Sequence, residues 1–220
     1  MPWTGKRKII NRILNPSPTY QANCQISKVL SMIPENSKII DLGAGGRKIT
    51  PDTISIDFVK IGDTKIIADI HRLPVKTGII DGVFCTGTLE HVEYPEKVIK
   101  EIYRITKPKS IIYIDVPFMQ CYHPDPVDYW RFTIKGLELI CIRNGLSLIE
   151  SGVNIGVASS LTWISMEFFQ AIFSNRLLNK MLTPVLGNLI LPLKYLDKFI
   201  INNRNNYAGA SAVYFIGTKS

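Results

Sequence analysis

Two acidic residues flank a glycine-rich segment in the first third of the chain. In KIIDLGAGGRKITPDTISIDF, an apolar run ends at Asp41, glycines follow, and a second apolar run ends at Asp57. Gly43 and Gly45, with Ala44 between them, permit a tight turn and a close approach of the backbone to a ligand. Ligands of parallel sheets bind beyond the carboxyl ends of the strands. A carboxylate at the second strand end can accept both hydroxyls of a ribose, so the pattern predicts a nucleoside site.

The acid that precedes the glycines discriminates between nucleoside ligands. A dinucleotide-binding loop has the pattern G-x-G-x-x-G and holds pyrophosphate at a helix N-terminus. Here Lys48 stands in the position of the third glycine, and Asp41 would repel a pyrophosphate. This argues against a nucleotide-dependent oxidoreductase and favours a ligand with a cationic end, such as an amino acid's ammonium. A ribose together with an ammonium predicts S-adenosylmethionine; the alternative is that the glycines form only a turn.

Polar residues after the third and fourth apolar runs extend this predicted site. Asp69, in ADIHRLP, is placed to receive an adenine amino group, or else is a turn or helix-capping aspartate. The fourth run leads into TGTLEHV, where Thr86, Glu90 and His91 face the same crevice. Thr86 and Glu90 are therefore added to the predicted cofactor site. The alternative is that Glu90 and His91 only begin the next helix.

A loop after the fifth apolar run combines a histidine with carboxylates, aromatic rings and an arginine. His123 lies in FMQCYHPDPVDYWRFT. Because imidazole titrates near neutral pH, His123 or His91 is the candidate base for removing a hydroxyl proton. The mixture suits a carbohydrate, since carboxylates bind hydroxyls, aromatic faces cover sugar rings and arginine binds phosphate. The predicted substrate-binding residues are Asp125, Asp128, Tyr129, Trp130 and Arg131.

Two other interpretations of this loop stay open. In the first, Asp128 pairs with Arg131 and Trp130 packs in the core, so that the loop satisfies its own polar groups. In the second, His123, Asp125 and Asp128 hold a metal ion. Two carboxylates and one imidazole on a proline-rich loop are weak grounds for a metal site, and no metal is predicted.

Seven apolar runs predict the strands that position these residues. Helical spacing predicts helices over 21–33, 94–106 and 133–145, with Thr133 as an N-cap and Gly145 as a stop. Strands that alternate with helices indicate an α/β fold, with a parallel sheet covered on both faces. The predicted strands are KIIDLG, TISIDFV, TKIIADI, IDGVFCTGT, SIIYIDVPF, LSLIESGV and ASAVYFIGTK.

The stretch from Asp41 to Phe118 resembles the class I S-adenosylmethionine-dependent methyltransferases, especially the type 11-like group. DLGAGG is similar to their glycine motif and DGVFCTGTLEHV to their fourth-strand motif. RITKPKSIIYIDVP is similar to the segment before their fifth strand, except that Lys109-Ser110 replaces the glycines of a K-P-G-G turn. The resemblance implies a Rossmann-like, doubly wound, seven-stranded, mostly parallel sheet with an antiparallel last strand. It also implies that Asp69 and Ile70 contact the adenine.

A second resemblance concerns the acceptor. HPDPVDYWRFT is similar to a segment of methyltransferases of bacterial surface-polysaccharide and glycan biosynthesis. It implies O-methylation of a sugar or glycan intermediate. A quinone or another small molecule is the alternative acceptor. A non-catalytic binding module that retains the methyltransferase fold is the alternative function.

An apolar segment separates the last two predicted strands. It is rich in Trp, Phe, Leu and Ile and is expected to be a helical insertion. It acts as a lid over the acceptor pocket, as a homodimer contact through residues 158–201, or as a membrane-surface contact aided by Lys6, Arg7, Lys8 and Arg12. We expect a single domain over 1–220, with a helical cap over 1–36, a cofactor-binding core over 37–153, the insertion over 154–207 and the last strand over 208–220.

Composition narrows the partners and the compartment. The net charge is +8 and the isoelectric point about 9.3, but the sequence has no nucleic-acid-binding motif, so no nucleic-acid partner is expected. Four cysteines spaced for neither zinc nor disulfides indicate a reducing compartment, with Cys85 and Cys141 as buried thiols. No signal peptide is visible, and no apolar run reaches the ~18 residues of a membrane span. We therefore expect a cytoplasmic protein, with peripheral membrane contact as an alternative.

Overall fold

Seven strands form one mixed sheet in the computed structural model, which describes residues 19–172, 181–182, 185, 187–203 and 205–220. The strands at the centre of the sheet are runs of Ile, Val, Leu and Phe that are buried on both faces, as parallel strands require. The strand bounds are β1 (Ile39–Leu42), β2 (Ile54–Asp57), β3 (Ile66–Ile67), β4 (Ile80–Thr86), β5 (Thr106–Pro117), β6 (Leu146–Ile155) and β7 (Ala212–Lys219).

The strand order is β3-β2-β1-β4-β5-β7-β6. Strands β1 to β5 pair in parallel, whereas β7 runs antiparallel to both β5 and β6. The chain moves outward from β1 to β3 and then returns to place β4 on the other side of β1. The crevice at this reversal is where ligands of such sheets bind. The predicted Rossmann-like fold with an antiparallel last strand is confirmed.

Helices cover both faces of the sheet. The helix bounds are α1 (Thr19–Ser31), α2 (Pro95–Ile105), α3 (Ile134–Arg143), α4 (Val157–Ile172) and α5 (Asp197–Ile200). On one face, α2 and α3 pack on the larger core, where Pro95 occupies the first turn of α2 and the Thr133 side chain caps α3 by accepting from Gly136 N. On the other face, α1 buries Val29 and Ile33 against the sheet.

The regular alternation of strands and helices predicted from the sequence is wrong for the first half of the sheet. Residues 43–53, 58–65 and 68–79, which connect β1 to β2, β2 to β3 and β3 to β4, contain no helix. The second connection, 58–65, is shorter than a crossover that carries a helix. The glycine segment therefore leads into a loop rather than into a helix N-terminus.

The turn before β5 contains a strained residue. The fifth strand was predicted to begin at Ser110 but begins at Thr106, and Lys109 within it has a positive φ of 64°. This is the backbone conformation that glycine adopts without steric cost, and Lys109 stands where the related turn has glycine. The chain thus keeps the turn geometry implied by the resemblance although the glycine is absent.

Replacing Lys109 with glycine is expected to stabilise the protein. Glycine removes the strain of the left-handed conformation, but it also gives the unfolded chain more conformational freedom, which offsets part of the gain. The net increase in the free energy of unfolding is about 0.5–1 kcal/mol. Urea denaturation followed by circular dichroism measures this gain. Lys109→Ala is the control, because it removes the exposed ammonium and keeps the strain. Equal stability of the glycine and alanine variants would contradict the explanation.

The insertion is anchored to the rest of the fold through a buried carboxylate. Asp197, fully buried, accepts hydrogen bonds from Ala158 N (2.9 Å), Ser159 N (3.0 Å) and Ser159 Oγ (2.6 Å). It therefore caps the N-terminus of α4 from a distant part of the chain, since the first-turn N–H groups of a helix have no intrahelical partner. The beginning of α4 is fixed in place by this contact.

The opposite side of α4 carries an exposed apolar stripe. Leu161, Ile164, Phe168 and Ile172 follow helical spacing and are between 43% and 60% exposed. The lid, homodimer and membrane-surface roles of this segment stay predictions. The basic residues Lys6 to Arg12 lie outside the described residues.

Among the described residues, no helix has both the length and the apolar character needed to span a membrane.

Candidate active site

The glycine loop after β1 has a backbone conformation that favours glycine at two positions. Gly43 and Gly45 have φ values of +62° and +56°. A Cβ on Gly43 would lie 2.3 Å from Thr88 Oγ1, whereas one on Gly45 would meet open space. Ala44 is buried, and Gly43 N donates to Ile56 O on β2. The loop thus presents bare backbone to the crevice at Gly45, while Gly43 packs against the segment after β4.

Asp57 lies at the end of β2, as predicted, and its carboxylate contacts the glycine loop. Asp57 Oδ2 accepts a hydrogen bond from Gly45 N at 2.8 Å. The side chain therefore fixes the loop conformation as well as placing a carboxylate at the crevice. Its contact with a ribose stays a prediction.

Asp41 is committed to a partner that sequence reasoning missed. Its side chain is 1% exposed, and its two oxygens accept from Arg47 Nη2 (2.6 Å) and Arg47 Nε (3.2 Å). Burial raises the pKa of Asp41, and the Arg47 charge opposes this rise. The predicted contact of Asp41 with a ligand ammonium would compete with this ion pair. An arginine six residues beyond the acid, in the same glycine loop, was the signal available in the sequence.

Asp69 forms the turn that was its alternative interpretation. It accepts a hydrogen bond from His71 N (2.9 Å) and lies 2.7 Å from His71 Nδ1. These contacts lower the pKa of Asp69, with the backbone hydrogen bond contributing most. The carboxylate remains 59% exposed, and the neighbouring Ile70 is buried. Asp69 and Ile70 thus combine a carboxylate with an apolar side chain, which suits an adenine. Their contact with the adenine stays a prediction.

Glu90, His91 and His123 come together at the crevice. Glu90 and His91 lie in the 3₁₀ turn 89–91 after β4. The alternative, that they only begin the next helix, is therefore wrong. Glu90 Oε1 lies 3.8 Å from His91 Nε2 and 3.9 Å from His123 Nε2. Burial lowers the pKa of His123, but the Glu90 carboxylate, the Cys121 carbonyl and the charge of Asp128 raise it above its ordinary value. Two imidazoles and one carboxylate thus share one small volume.

Backbone and side-chain hydrogen bonds join the 118–133 loop to this turn. Tyr129 N donates to Glu90 O at 2.7 Å, and Trp130 Nε1 donates to Val92 O at 2.9 Å. His91 Nδ1 lies 2.5 Å from Val127 O. These contacts hold His91 and His123 at a fixed separation although the two residues come from different segments of the chain.

The charged residues of the loop pair with each other. Arg131 Nη1 and Nη2 donate to the two carboxylate oxygens of Asp128 at 2.5 and 2.7 Å, and Asp128 Oδ2 also accepts from His123 N at 2.8 Å. Burial opposes ionisation of Asp128, yet these hydrogen bonds lower its pKa to about 2. This is the self-satisfied arrangement kept as an alternative above. Asp128 and Arg131 therefore position His123, and their contact with a substrate stays a prediction.

The 118–133 loop exposes three aromatic side chains, and a fourth, from the insertion, lies beside His123. Tyr122, Tyr129 and Trp130 are 70%, 50% and 42% exposed, so Trp130 does not pack in the core. Asp125 is exposed as well. From the insertion, the Trp163 ring lies 5.5 Å from the His123 ring. Helix α4 thus reaches the site, as a lid over the acceptor pocket would require, and the lid role itself stays a prediction.

A protein-family model described as a methyltransferase domain matches residues 41–114. This segment holds the glycine loop, Asp57, Glu90 and His91. The match covers 74 of the 220 residues and supports the predicted class I S-adenosylmethionine-dependent methyltransferase. S-adenosylmethionine is its cofactor, and the predicted enzyme class is confirmed.

Relatives of this methyltransferase are distant. A sterol 4-C-methyltransferase of Caenorhabditis elegans is 27% identical over 144 residues, which cover 54% of this chain and 42% of that protein. The chain therefore spans less than half the length of this curated relative.

Solved structures share the fold. A possible histamine N-methyltransferase of Thermotoga maritima has a TM-score of 0.60 at 15% identity, covering 98% of this chain and 95% of the other. A phosphoethanolamine N-methyltransferase of Haemonchus contortus, solved with S-adenosyl-L-methionine, has a TM-score of 0.53 at 15% identity, covering 89% and 52%.

The residues of the crevice fit the cofactor. The backbone at Gly45 is open to a ligand, and the Asp57 carboxylate lies beside it, where it would hold ribose hydroxyls. Thr86 Oγ1 and Glu90 Oε2 are buried polar atoms without a hydrogen-bond partner among the described residues. Such atoms are rare in folded proteins unless a ligand or water completes them.

Proposed function

We propose that this methyltransferase transfers the methyl group of S-adenosylmethionine to a hydroxyl of a sugar or glycan intermediate of surface-polysaccharide biosynthesis. The observation that carries the proposal is the convergence of Glu90, His91 and His123 at the crevice, beside the aromatic 118–133 loop. The resemblance of HPDPVDYWRFT to glycan methyltransferases supports the choice of acceptor.

The chemistry requires a group that assists loss of a proton. S-adenosylmethionine supplies an electrophilic methyl on a sulfonium that is already a good leaving group. The acceptor oxygen forms the new O–CH₃ bond as the S–CH₃ bond breaks, and the hydroxyl proton must leave. Sugar hydroxyls have pKa values far above 7, so a neighbouring imidazole and carboxylate lower the barrier. The Glu90–His91–His123 cluster supplies these groups.

Side chains of the 118–133 loop suit a sugar ring. Tyr122, Tyr129 and Trp130 offer exposed aromatic faces for its apolar side. The exposed Asp125 carboxylate can accept hydrogen bonds from its hydroxyls. Trp163, which packs beside His123, adds an apolar wall from the insertion and helps to exclude water from the methyl transfer.

A lipid acceptor is the second candidate. The exposed apolar stripe of α4 favours an acceptor with a hydrocarbon part, such as a quinone or a sterol-like molecule. The distant likeness to a sterol C-methyltransferase points in the same direction. A lipid-linked glycan would combine both features.

Transfer of radiolabelled methyl from S-adenosylmethionine tests the acceptor class. Sugar nucleotides, polyprenyl-linked saccharides, quinones and sterols are offered in parallel, and we expect label in a saccharide. His123→Ala is expected to reduce turnover about 100-fold or more while leaving the dissociation constant for S-adenosylmethionine within about threefold. Label only in quinone or sterol would contradict the glycan acceptor. Full turnover by the variant would remove His123 from the mechanism.

A further inference from the structure

We propose that Glu90, His91 and His123 bind a divalent transition-metal cation. Sequence reasoning predicted no metal and considered only His123 with Asp125 and Asp128. In the structure Arg131 donates to both carboxylate oxygens of Asp128, so Asp128 is not available as a metal ligand. The new set contains two residues of the turn after β4 and one of the loop after β5. Cation binding follows from the geometry of these three side chains, whereas the role of the cation rests on the proposed function.

The three ligand atoms converge on one point. One carboxylate oxygen and one nitrogen of each imidazole lie within 4.8 Å of one another. The two distances from Glu90 Oε1, 3.8 and 3.9 Å, are too long for hydrogen bonds. Bonds of about 2.0–2.1 Å to a cation would hold adjacent ligand atoms about 3.0–3.4 Å apart. Side-chain rotations that move each ligand atom by less than ~1 Å therefore close the site around an ion.

Both imidazoles are held in the tautomer that metal binding requires. His91 Nδ1 lies 2.5 Å from Val127 O, and His123 Nδ1 lies 2.8 Å from Cys121 O. A carbonyl oxygen can only accept, so each Nδ1 carries the proton. The lone pair of each neutral imidazole is then on Nε2, which is the atom that faces Glu90. Metal-ligating histidines in proteins commonly donate their other N–H to a backbone carbonyl in this way.

One oxygen of the buried Glu90 carboxylate has no hydrogen-bond partner in the described part of the chain. Its side chain is 2% exposed, and Oε2 has no hydrogen-bond partner among the described residues. A buried carboxylate is costly unless it is paired or coordinates a cation. The nearby guanidinium of Arg131 is already engaged by both oxygens of Asp128. A cation between Glu90 Oε1 and the two Nε2 atoms would supply the missing positive charge.

The ligand set indicates the kind of cation and its use. Two imidazoles and one carboxylate suit first-row transition metals such as Zn²⁺, Co²⁺, Mn²⁺ and Fe²⁺, and three protein ligands leave positions open. With both Nε2 atoms bound to the cation, neither imidazole takes the acceptor proton. Instead, an acceptor hydroxyl bound at an open position would lose its proton to solvent more readily, because a cation lowers the pKa of a bound oxygen. The oxygen would then accept the methyl as in the reaction above.

Cobalt titration of the full chain tests the site. Protein without a histidine tag is treated with EDTA, dialysed, and titrated with Co²⁺ at neutral pH, by calorimetry and by visible absorption. We expect one Co²⁺ per chain and visible bands of a site with imidazole ligands. Glu90→Gln, which keeps the side-chain shape, and His91→Ala are each expected to weaken binding at least tenfold. His71→Ala is the matched control, since this third histidine lies outside the cluster, and its affinity for Co²⁺ should equal that of the wild type.

The outcomes separate the metal site from the proposed function. Absence of stoichiometric Co²⁺ binding, or equal affinity in wild type, Glu90→Gln and His91→Ala, overturns the inference. Thermal melts of each variant ensure that folded protein is compared. A metal-free chain that methylates a saccharide at full rate overturns the cation's role and leaves the proposed function standing. A chain that binds Co²⁺ at the cluster but methylates no hydroxyl retains the site and overturns the function.

Discussion

The Asp57→Ala variant is expected to bind S-adenosylmethionine about 100-fold more weakly than the wild-type chain. Two losses combine in this effect. The carboxylate no longer accepts hydrogen bonds from the ribose, and Gly45 N loses its 2.8 Å partner, so that the glycine loop is less well ordered for binding. Hydrogen bonds to charged groups contribute about 1.5–3 kcal/mol each. Because tenfold corresponds to about 1.4 kcal/mol, a 100-fold loss requires only about 2.7 kcal/mol.

Calorimetric titration with S-adenosylmethionine and S-adenosylhomocysteine measures this loss. Asp52→Ala is the matched control, since Asp52 is an exposed aspartate in the same connection between β1 and β2. Its affinity for both ligands should match the wild type. Circular dichroism should show that both variants are folded. If Asp57→Ala binds as tightly as Asp52→Ala, Asp57 is not the ribose-binding residue.

The Asp115→Asn variant is expected to be more stable than the wild type above neutral pH. Asp115 lies on β5, and burial raises its pKa to about 7, from an ordinary value of 3.8. An Asn154 hydrogen bond and the charge of Arg47 oppose the rise, while the charge of Glu90 adds to it. The folded protein therefore holds a proton on Asp115 that the unfolded chain releases near pH 4.

The sign of the pH dependence follows from this difference. Between about pH 4 and pH 7 the folded state binds more protons than the unfolded state, so stability falls as pH rises. A shift of about three pKa units corresponds to about 4 kcal/mol. Asparagine stays neutral throughout, and its amide N–H₂ can donate to Asn154 Oδ1, which has no partner among the described residues. We expect the variant to gain about 2–4 kcal/mol at pH 8 and little at pH 4.

Urea denaturation at several pH values between 4 and 8 measures this difference. Asp81→Asn is a control of opposite sign. Burial alone would raise the pKa of Asp81, but its ion pair with Lys107 lowers it, so its contribution is present at neutral pH and disappears on acidification. That variant should lose stability at neutral pH. Parallel stability curves for Asp115→Asn and the wild type would contradict a buried, protonated Asp115.

The elements that bear the cofactor motifs could be predicted because their signals are local. A buried strand needs a continuous apolar run, and a strand end followed by glycines or an acid is visible within a few residues. For this reason β1, β2, β4 and the positions of Gly43, Asp57 and Glu90 were predicted correctly. Burial of Cys85 and Cys141 was predicted for the same reason.

Errors arose where a local pattern had more than one structural outcome. The connections before β4 were predicted as part of a strand–helix alternation, although they contain no helix and residues 58–65 are too few for one. The start of β5 was placed too late, because a lysine with positive φ, Lys109, cannot be distinguished by sequence from one in an ordinary turn.

The sequence by itself determined the class of fold, the acidic residues at the ends of β1 and β2 and the cofactor, since these depend on runs and spacings within single segments. Only the tertiary structure decided which polar side chains meet. It paired Asp41 with Arg47 and Asp128 with Arg131, and it brought Glu90 and His91 to His123 from a separate loop. Such pairings depend on how the loops beyond β4 and β5 lie against each other. That arrangement is fixed by strand order and by backbone hydrogen bonds between the loops, which leave no pattern in either segment alone.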